Sequence, residues 1–477
     1  MEKVKNKGWS VTMAGLGINL ALGILYTWSI FKVAIKESIV SGDGVFTWDL
    51  AYLNDPYAVC CLVFAFTMIT AGRLQDKVSP RITAIFGGIL AGVGLVVTSQ
   101  STLLANWILG FGVLTGMGLG FGYASATPPA IKWFPASKTG LIAGLVVAGF
   151  GLASVYIAPL ADYLIRNYGL SQSMMIFGVS FLIVVCFLAL FLQNPPEGYV
   201  PEEKAPKKGS PARKAVKIEE YSPTAMLQTP TFYKLWFMYF VGSGAGLIII
   251  GSVAEMAKMS LGHLAWIVVA LMAIGNAGGR IVAGIISDKI GRTRTILIMM
   301  AFQGLVISSL LFIKESHAVL LLMAATLIGF NYGTNLSLFP SVTKDYFGMK
   351  NFGVNYGLLF TAWGIGGFLF PRAAQMIVAA TGTPEVAYMM AAFFLFLSAG
   401  MALITRPPQT LRERAKVITH LEPGKIYSGH FVYMPNLKTM NNSSDSEGGE
   451  GNEGSGGSGG SGEIVTIDKR VAGIKAG

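Results

Sequence analysis

Of the 477 residues, 53% are hydrophobic and only 13% are charged, where soluble globular chains carry about a quarter charged residues; with a mean hydropathy of +0.57, this composition cannot clothe a water-soluble surface. The net charge of +11 does not point to nucleic acid, because the cytoplasmic loops of membrane proteins collect Lys and Arg. Cys60, Cys61 and Cys186 lie inside apolar runs without framework spacing, and His263, His317, His420 and His430 are scattered outside the apolar centres, so neither a disulfide scaffold nor a metal site or other cofactor is expected.

In chain order, Met1–Gly8 is a short basic leader, and the apolar run after it continues too long for a signal-peptide core, so no cleavable signal is read. A membrane helix needs about 20 mainly apolar residues. Runs of that kind occupy residues 9–33, 55–75, 82–100, 104–131, 139–162 and 172–193. A segment over 194–229, with Pro195, Pro196, Pro201, Pro206 and Pro211 among Lys and Glu, reads as a linker. Further runs occupy 231–254, 263–287, 295–313, 317–342, 353–378 and 384–405. The tail over 406–477 contains a Ser/Gly/Glu-rich stretch at 441–462 that is flexible by composition. The expected fold is an all-α integral membrane protein of twelve transmembrane helices in two six-helix bundles, 1–193 and 230–405.

Basic residues set the expected orientation. Arg73, Lys77, Arg81, Lys132, Lys289 and Arg292 fall on one side together with the linker and tail, and Lys32, Lys36, Arg166, Lys258 and Lys314 on the other. The richer side is placed in the cytoplasm with both termini, in a multi-pass protein of the cytoplasmic membrane.

The halves repeat. Gly72, Asp76, Lys77 and Arg81 lie between spans 2 and 3, and Gly284, Asp288, Lys289 and Arg292 lie between spans 8 and 9, with Asp76 and Asp288 offset by 212 residues. Trp133-Phe134 and Gly140 after span 4 match Tyr346-Phe347 and Gly353 after span 10 at an offset of 213. Duplicated six-helix units are a transporter arrangement, with the site between the halves near the midplane. The Gly-x3-Asp-Lys loop in both halves resembles the signature of the major facilitator superfamily, with Ser79 in place of a glycine in the first copy. Tyr26-Thr-Trp28, Trp133-Phe134-Pro135, Asn276-x3-Arg280, Asn355-Tyr356-Gly357 and the stretch Phe330 to Pro340 are similar to the monocarboxylate transporter and oxalate/formate antiporter group. That resemblance implies alternating-access transport of small carboxylates, with the two loops as gating elements.

Arg280 leads the candidate site. Eight residues before Asp288, it lies about 12 Å inside the span at 1.5 Å per residue, near the centre of a hydrocarbon core of about 30 Å. A charge there costs at least about 2.5–3.5 kcal/mol, and a guanidinium fork suits a carboxylate. The repeat places Met68 at the related position, so the scaffold does not demand arginine there. Asn276 shares the Arg280 face one turn earlier and replaces an aspartate that the resemblance implies for proton-coupled relatives. Their span 1 lysine is also missing from Leu25–Ser29, and Lys32 is read as snorkelling to the interface. Arg372 is read the same way.

Tyr26, Tyr123, Tyr332, Asn335 and Phe360 complete the expected contacts, and by resemblance Trp363 stands where the oxalate exchanger has a second cation. One central cation argues for a monoanion such as L-lactate or pyruvate. Proton symport is expected, with proton-independent exchange or a transporter-like receptor as alternatives. The lipid bilayer is the environment, and no nucleic acid or obligatory protein partner is expected. No nucleophile–base set for enzymatic chemistry is visible. Because a bound carboxylate neutralises Arg280, closure without substrate is expected to be poor. Gly112, Gly116, Gly120, Gly140 and Gly144 have the spacing of surfaces on which the halves rock.

Overall fold

The computed structural model describes residues 6–135, 138–196, 198–199, 201, 220–313 and 317–408, together with 431–432 and 465–466. The chain forms two compact units, Met1–Pro408 and Gln409–Gly477. In the second, the described residues are β1 (Phe431–Val432) and β2 (Val465–Thr466), an antiparallel pair. The flexible stretch read at 441–462, and most of the linker, lie outside the described residues.

The first unit is helical. Span 1 is α1 (Gly8–Leu22), a 3-10 turn over Gly23–Thr27, and α2 (Trp28–Ser41). Span 2 is α3 (Asp55–Lys77) and span 3 is α4 (Pro80–Ser99). Span 4 runs from α5 (Leu104–Trp107) through a π-helical stretch, Ile108–Thr115, into α6 (Gly116–Lys132). Spans 5 and 6 are nearly continuous in α7 (Thr139–Ala189), where Gly169 at φ 78°, ψ 166° divides them. Among the described residues, eleven stretches are long and apolar enough to cross a membrane. One of them, Leu141–Ala189, covers 49 residues, about 74 Å if it were one straight helix and so twice what one crossing needs. Divided at Gly169, it brings the total to the twelve crossings expected.

The short helix α8 (Pro223–Leu227) precedes span 7, which is α9 (Pro230–Ile250) broken at Gly251–Ser252 before α10 (Val253–Leu261). Spans 8 to 12 are α11 (Trp266–Ile290), α12 (Arg292–Ser309), α13 (Ala318–Phe347), α14 (Phe352–Thr381) and α15 (Glu385–Leu403). Lipid supplies no hydrophobic force between helices, so close approach of small residues holds them together. Spans 8 and 10 show it: a Cβ on Gly275 or Gly279 would overlap the Thr326 or Phe330 carbonyl, and one on Gly329 or Gly333 the Met272 or Asn276 carbonyl. This interlock fixes Asn276 and Arg280 on the rest of their half.

The expected rocking glycines are corrected. Gly112, Gly116 and Gly120 pack on Val59, Cys60 and Phe64 of span 2, inside their own half. Gly144 meets nothing within 4 Å, and the side-chain surroundings of Gly140 lie outside the described set. One set of close contacts between the halves runs along spans 2 and 11: Gly72 against Gly353, Gly357 against Ile69, Gly364 against Ala65 and Gly367 against Cys61.

The ends of the bundle are held differently. At the end where α1 begins and α15 finishes, the Asp76 carboxylate accepts from Gln75 and lies beside Gly353, where α14 begins. A carboxylate is favourable at that positive helix end. Gly72 lies 3.0 Å from the Gly353 carbonyl, measured from where its Cβ would be. Ser79 caps α4 by accepting from the Arg81 amide at 3.2 Å, so serine does useful work where glycine was expected. Arg73, Asp76, Lys77 and Lys350 line a cleft of about 380 Å³ against α8. The second loop copy stays in its own half: Arg292 pairs with Asp288 and Asp345, both at 2.8 Å. Lys289 is exposed and Gly284 meets nothing within 4 Å. The two copies are thus repeated in sequence and unequal in contact.

At the opposite end, Lys32 is 2% exposed and pairs with Glu255 at 2.9 Å, across spans 1 and 7. Lys36 binds the other Glu255 oxygen, and Lys258 pairs with Glu37. The snorkelling expected of Lys32 is therefore incorrect: burial against a carboxylate replaces exposure to water. Arg372 likewise pairs with Asp55 at 3.0 Å across spans 11 and 2.

Two measurements probe this packing. Gly279→Leu drives a side chain into the Phe330 backbone, and overpacking of this kind costs about 1–3 kcal/mol; the thermal unfolding midpoint of the purified protein is expected to fall by several degrees. Glu255→Gln strands the buried Lys32 ammonium, and breaking a buried pair costs up to about 3–5 kcal/mol. In a Cys186→Ser background, the buried thiols Cys60 and Cys61 should then react faster with a membrane-permeant maleimide. Adding Lys32→Met should restore their protection.

Candidate functional site

Arg280 is 1% exposed on α11 and faces span 5 of the other half. Its Nε donates to the Asn276 Oδ1 at 3.0 Å, within one helical turn, and its Nη1 donates to the Val147 carbonyl. Its Nη2 is buried without a partner. Among the described residues no carboxylate lies within ion-pair range of Arg280. A buried guanidinium left with a free donor in a low-dielectric site is a strong anion attractor.

Span 5 can come this close because residue 151 is glycine. A Cβ there would lie 3.3 Å from both Arg280 Nε and Asn276 Oδ1. The neighbouring Phe150 turns the other way and joins an aromatic cage. Its ring meets Tyr26 at 5.1 Å, Tyr123 at 5.5 Å and Phe64 at 5.9 Å between centroids. Phe360 stacks on Trp363 at 4.9 Å and on Tyr123 at 5.9 Å, and Phe64 packs edge-on against Trp363 at 5.1 Å. The Tyr332 hydroxyl accepts from Trp363 Nε1 at 2.6 Å and shares a hydrogen bond with the Tyr26 hydroxyl at 2.8 Å. Rings from both halves thus form one apolar wall with two hydroxyls at its edge.

Of the residues expected from sequence, Asn276 bonds Arg280, and Tyr26 and Asn276 line a residual void of about 10 Å³ with Ser154, Ile250 and Met272. A void of that size holds one water at most, so the halves are closed around the site. Tyr123, Tyr332 and Phe360 belong to the cage. Asn335 is elsewhere: its amide faces the Asn331 carbonyl at 3.5 Å and lies against Gly242 of span 7.

Phe64 and Phe150 were not anticipated, although the repeat contains the signal. Phe64 stands 212 residues before Asn276, and Phe150 stands 213 before Trp363. Met68, the counterpart of Arg280, packs at Gly357 in the span 2–11 interface. Equivalent seams between the halves thus carry a polar pair on one side, Asn276 and Arg280, and an apolar pair on the other, Phe64 and Met68.

Comparisons with known proteins agree with this architecture. The profile of the Major Facilitator Superfamily matches residues 9–371 and 235–435. The uncharacterized MFS-type transporter YhjX of Escherichia coli (strain K12) is 29% identical over 362 residues, covering 75% of this chain and 85% of the relative. The oxalate:formate antiporter of Oxalobacter formigenes is 26% identical over 410 residues, covering 84% and 92%. Monocarboxylate transporter 12-B of Danio rerio is 26% identical over 371 residues, covering 71% and 76%. With this profile matching most of its length, the chain belongs to the Major Facilitator Superfamily and is a multi-pass membrane transporter.

Proposed function

We propose that this protein moves small aliphatic monocarboxylates, of the L-lactate or pyruvate type, by alternating access between six-helix bundles at 1–193 and 230–405, with proton symport as the coupling. The observation that carries the reading is Arg280: buried at midspan, without a carboxylate partner among the described residues, and with Nη2 free to donate. A carboxylate binds its fork, Asn276 and the Tyr26, Tyr123 and Tyr332 side assist, and the short tail lies against Phe64, Phe150 and Phe360. The relatives named for oxalate and formate, and for monocarboxylates, support the substrate class.

Charge supports the choice of a monoanion. Trp363 is committed to Tyr332, and two further cations, Lys32 and Arg372, are paired with Glu255 and Asp55. One guanidinium without a carboxylate partner among the described residues matches one carboxylate. In our reading the basic end faces the cytoplasm, both termini and the 194–229 linker lie there with the 406–477 tail, and the membrane is the cytoplasmic one. Gly72, Asp76, Lys77 and Arg81, with Gly284, Asp288, Lys289 and Arg292, act as gating loops.

Asn276 is an amide and does not titrate, so the proton enters with the substrate rather than on this residue. The same observation favours a second reading, exchange of one carboxylate for another without protons, as in the antiporter named above.

Reconstitution in liposomes tests both. Arg280→Gln is expected to reduce uptake of labelled L-lactate by more than about a hundredfold, since removing one partner of a buried charge pair costs roughly 3–5 kcal/mol. Uptake at the parental rate would sink the proposal. An imposed pH gradient, acid outside, should drive uphill uptake under symport; under exchange, accumulation should instead require internal carboxylate.

A further inference from the structure

A carrier that binds an anion on a buried cation faces a particular difficulty on its return stroke. If it closes with nothing bound, the cation is left in a low-dielectric core, and the return stalls. Such a protein exchanges substrates and performs little net transport. Whether it does so depends on whether the closed protein offers the cation substitute acceptors.

Here it does. Arg280 Nε donates to Asn276 Oδ1 at 3.0 Å and Nη1 donates to the Val147 carbonyl, so acceptors from each half meet one guanidinium. The arrangement is built rather than incidental. Gly151 leaves the space, with its absent Cβ 3.3 Å from both partner atoms. Gly333 lets span 10 press on the Asn276 backbone and fixes its place. Asn276 itself is 3% exposed, and the void beside it has no room for a carboxylate. A neutral amide oxygen is a moderate acceptor, strong enough to hold Nε yet weaker than a carboxylate. A substrate therefore displaces it readily. An aspartate at 276 would hold the arginine too firmly.

We propose that Asn276 is a surrogate for the substrate carboxylate, allowing this carrier to close around Arg280 with no anion bound and so setting its balance between net transport and exchange. The flux consequence rests on the monocarboxylate reading; the conformational consequence does not. This reverses, for the parental protein, the expectation that closure without substrate is poor: closure becomes poor only when Asn276 is removed.

Spin labels test closure directly, placed at the exposed positions Val40 and Leu264 at one end and Val78 and Met349 at the other, in a Cys186→Ser background. Without any carboxylate the parental protein should show short distances at both ends. Asn276→Ala should lower the population closed at both ends about tenfold, the scale of one hydrogen bond to a charged group, and saturating L-lactate should restore it. Asn276→Asp should do the reverse, closing more firmly and binding L-lactate more weakly. Gly151→Ala, which presses on the same pair, should resemble Asn276→Ala in a weaker form and serves if that variant folds poorly. In liposomes, the ratio of net uptake to exchange should fall about tenfold in Asn276→Ala. An unchanged closed population, or net uptake and exchange falling in equal proportion, would overturn the inference. Loss of closure in a protein that moves no lactate in either mode would leave the inference standing and reject the monocarboxylate reading.

Discussion

A guanidinium buried at midspan is the constraint around which the molecule is organised. It has no carboxylate partner among the described residues, yet it lies where an uncompensated charge is expensive. Every nearby feature answers that expense. The glycine at 151 admits a carbonyl-bearing helix from the other half, Asn276 turns its oxygen onto Nε, and the glycine interlock of spans 8 and 10 keeps both residues from drifting. One donor remains over: Arg280 Nη2 is buried without a partner.

The repeat explains how one side of the core came to be polar and the other apolar. Two equivalent seams, spans 5–8 and spans 2–11, join the halves. The first carries Arg280 and Asn276, and the second carries Met68 and Phe64 at the related places. A substrate with a carboxylate and a short apolar tail matches that polarity without further devices. The ends of the bundle are held differently: cross-half ion pairs at one, and close glycine contact with Asp76 at a helix start at the other.

Much of this was legible in the residues. Twelve apolar runs, the 212-residue offset and the depth of Arg280 needed only helix length and charge. The membrane unit's division at Gly169 was visible too, as a polar gap between apolar runs. What could not be read was which partner each charge would find. Lys32 looks like a snorkelling residue because its partner, Glu255, lies 223 positions away on a broken helix, and nothing local links them. Asn335 shares a helix with Tyr332 three residues earlier, but that spacing does not turn its amide toward Arg280. The small-residue stripe of span 4 was correctly seen as a packing surface and assigned to the wrong neighbour, since spacing names a face but not what covers it.

The central claim is that a single free cation in an otherwise apolar cage selects a monocarboxylate. Ligand-induced thermal stabilisation of the purified protein, measured across C1–C6 mono- and dicarboxylates in parental and Arg280→Gln forms, tests it most directly. Short monocarboxylates should stabilise the parental protein, dicarboxylates should do so weakly, and no carboxylate should stabilise the variant. Preference for a dicarboxylate, or equal stabilisation of the variant, would contradict the account.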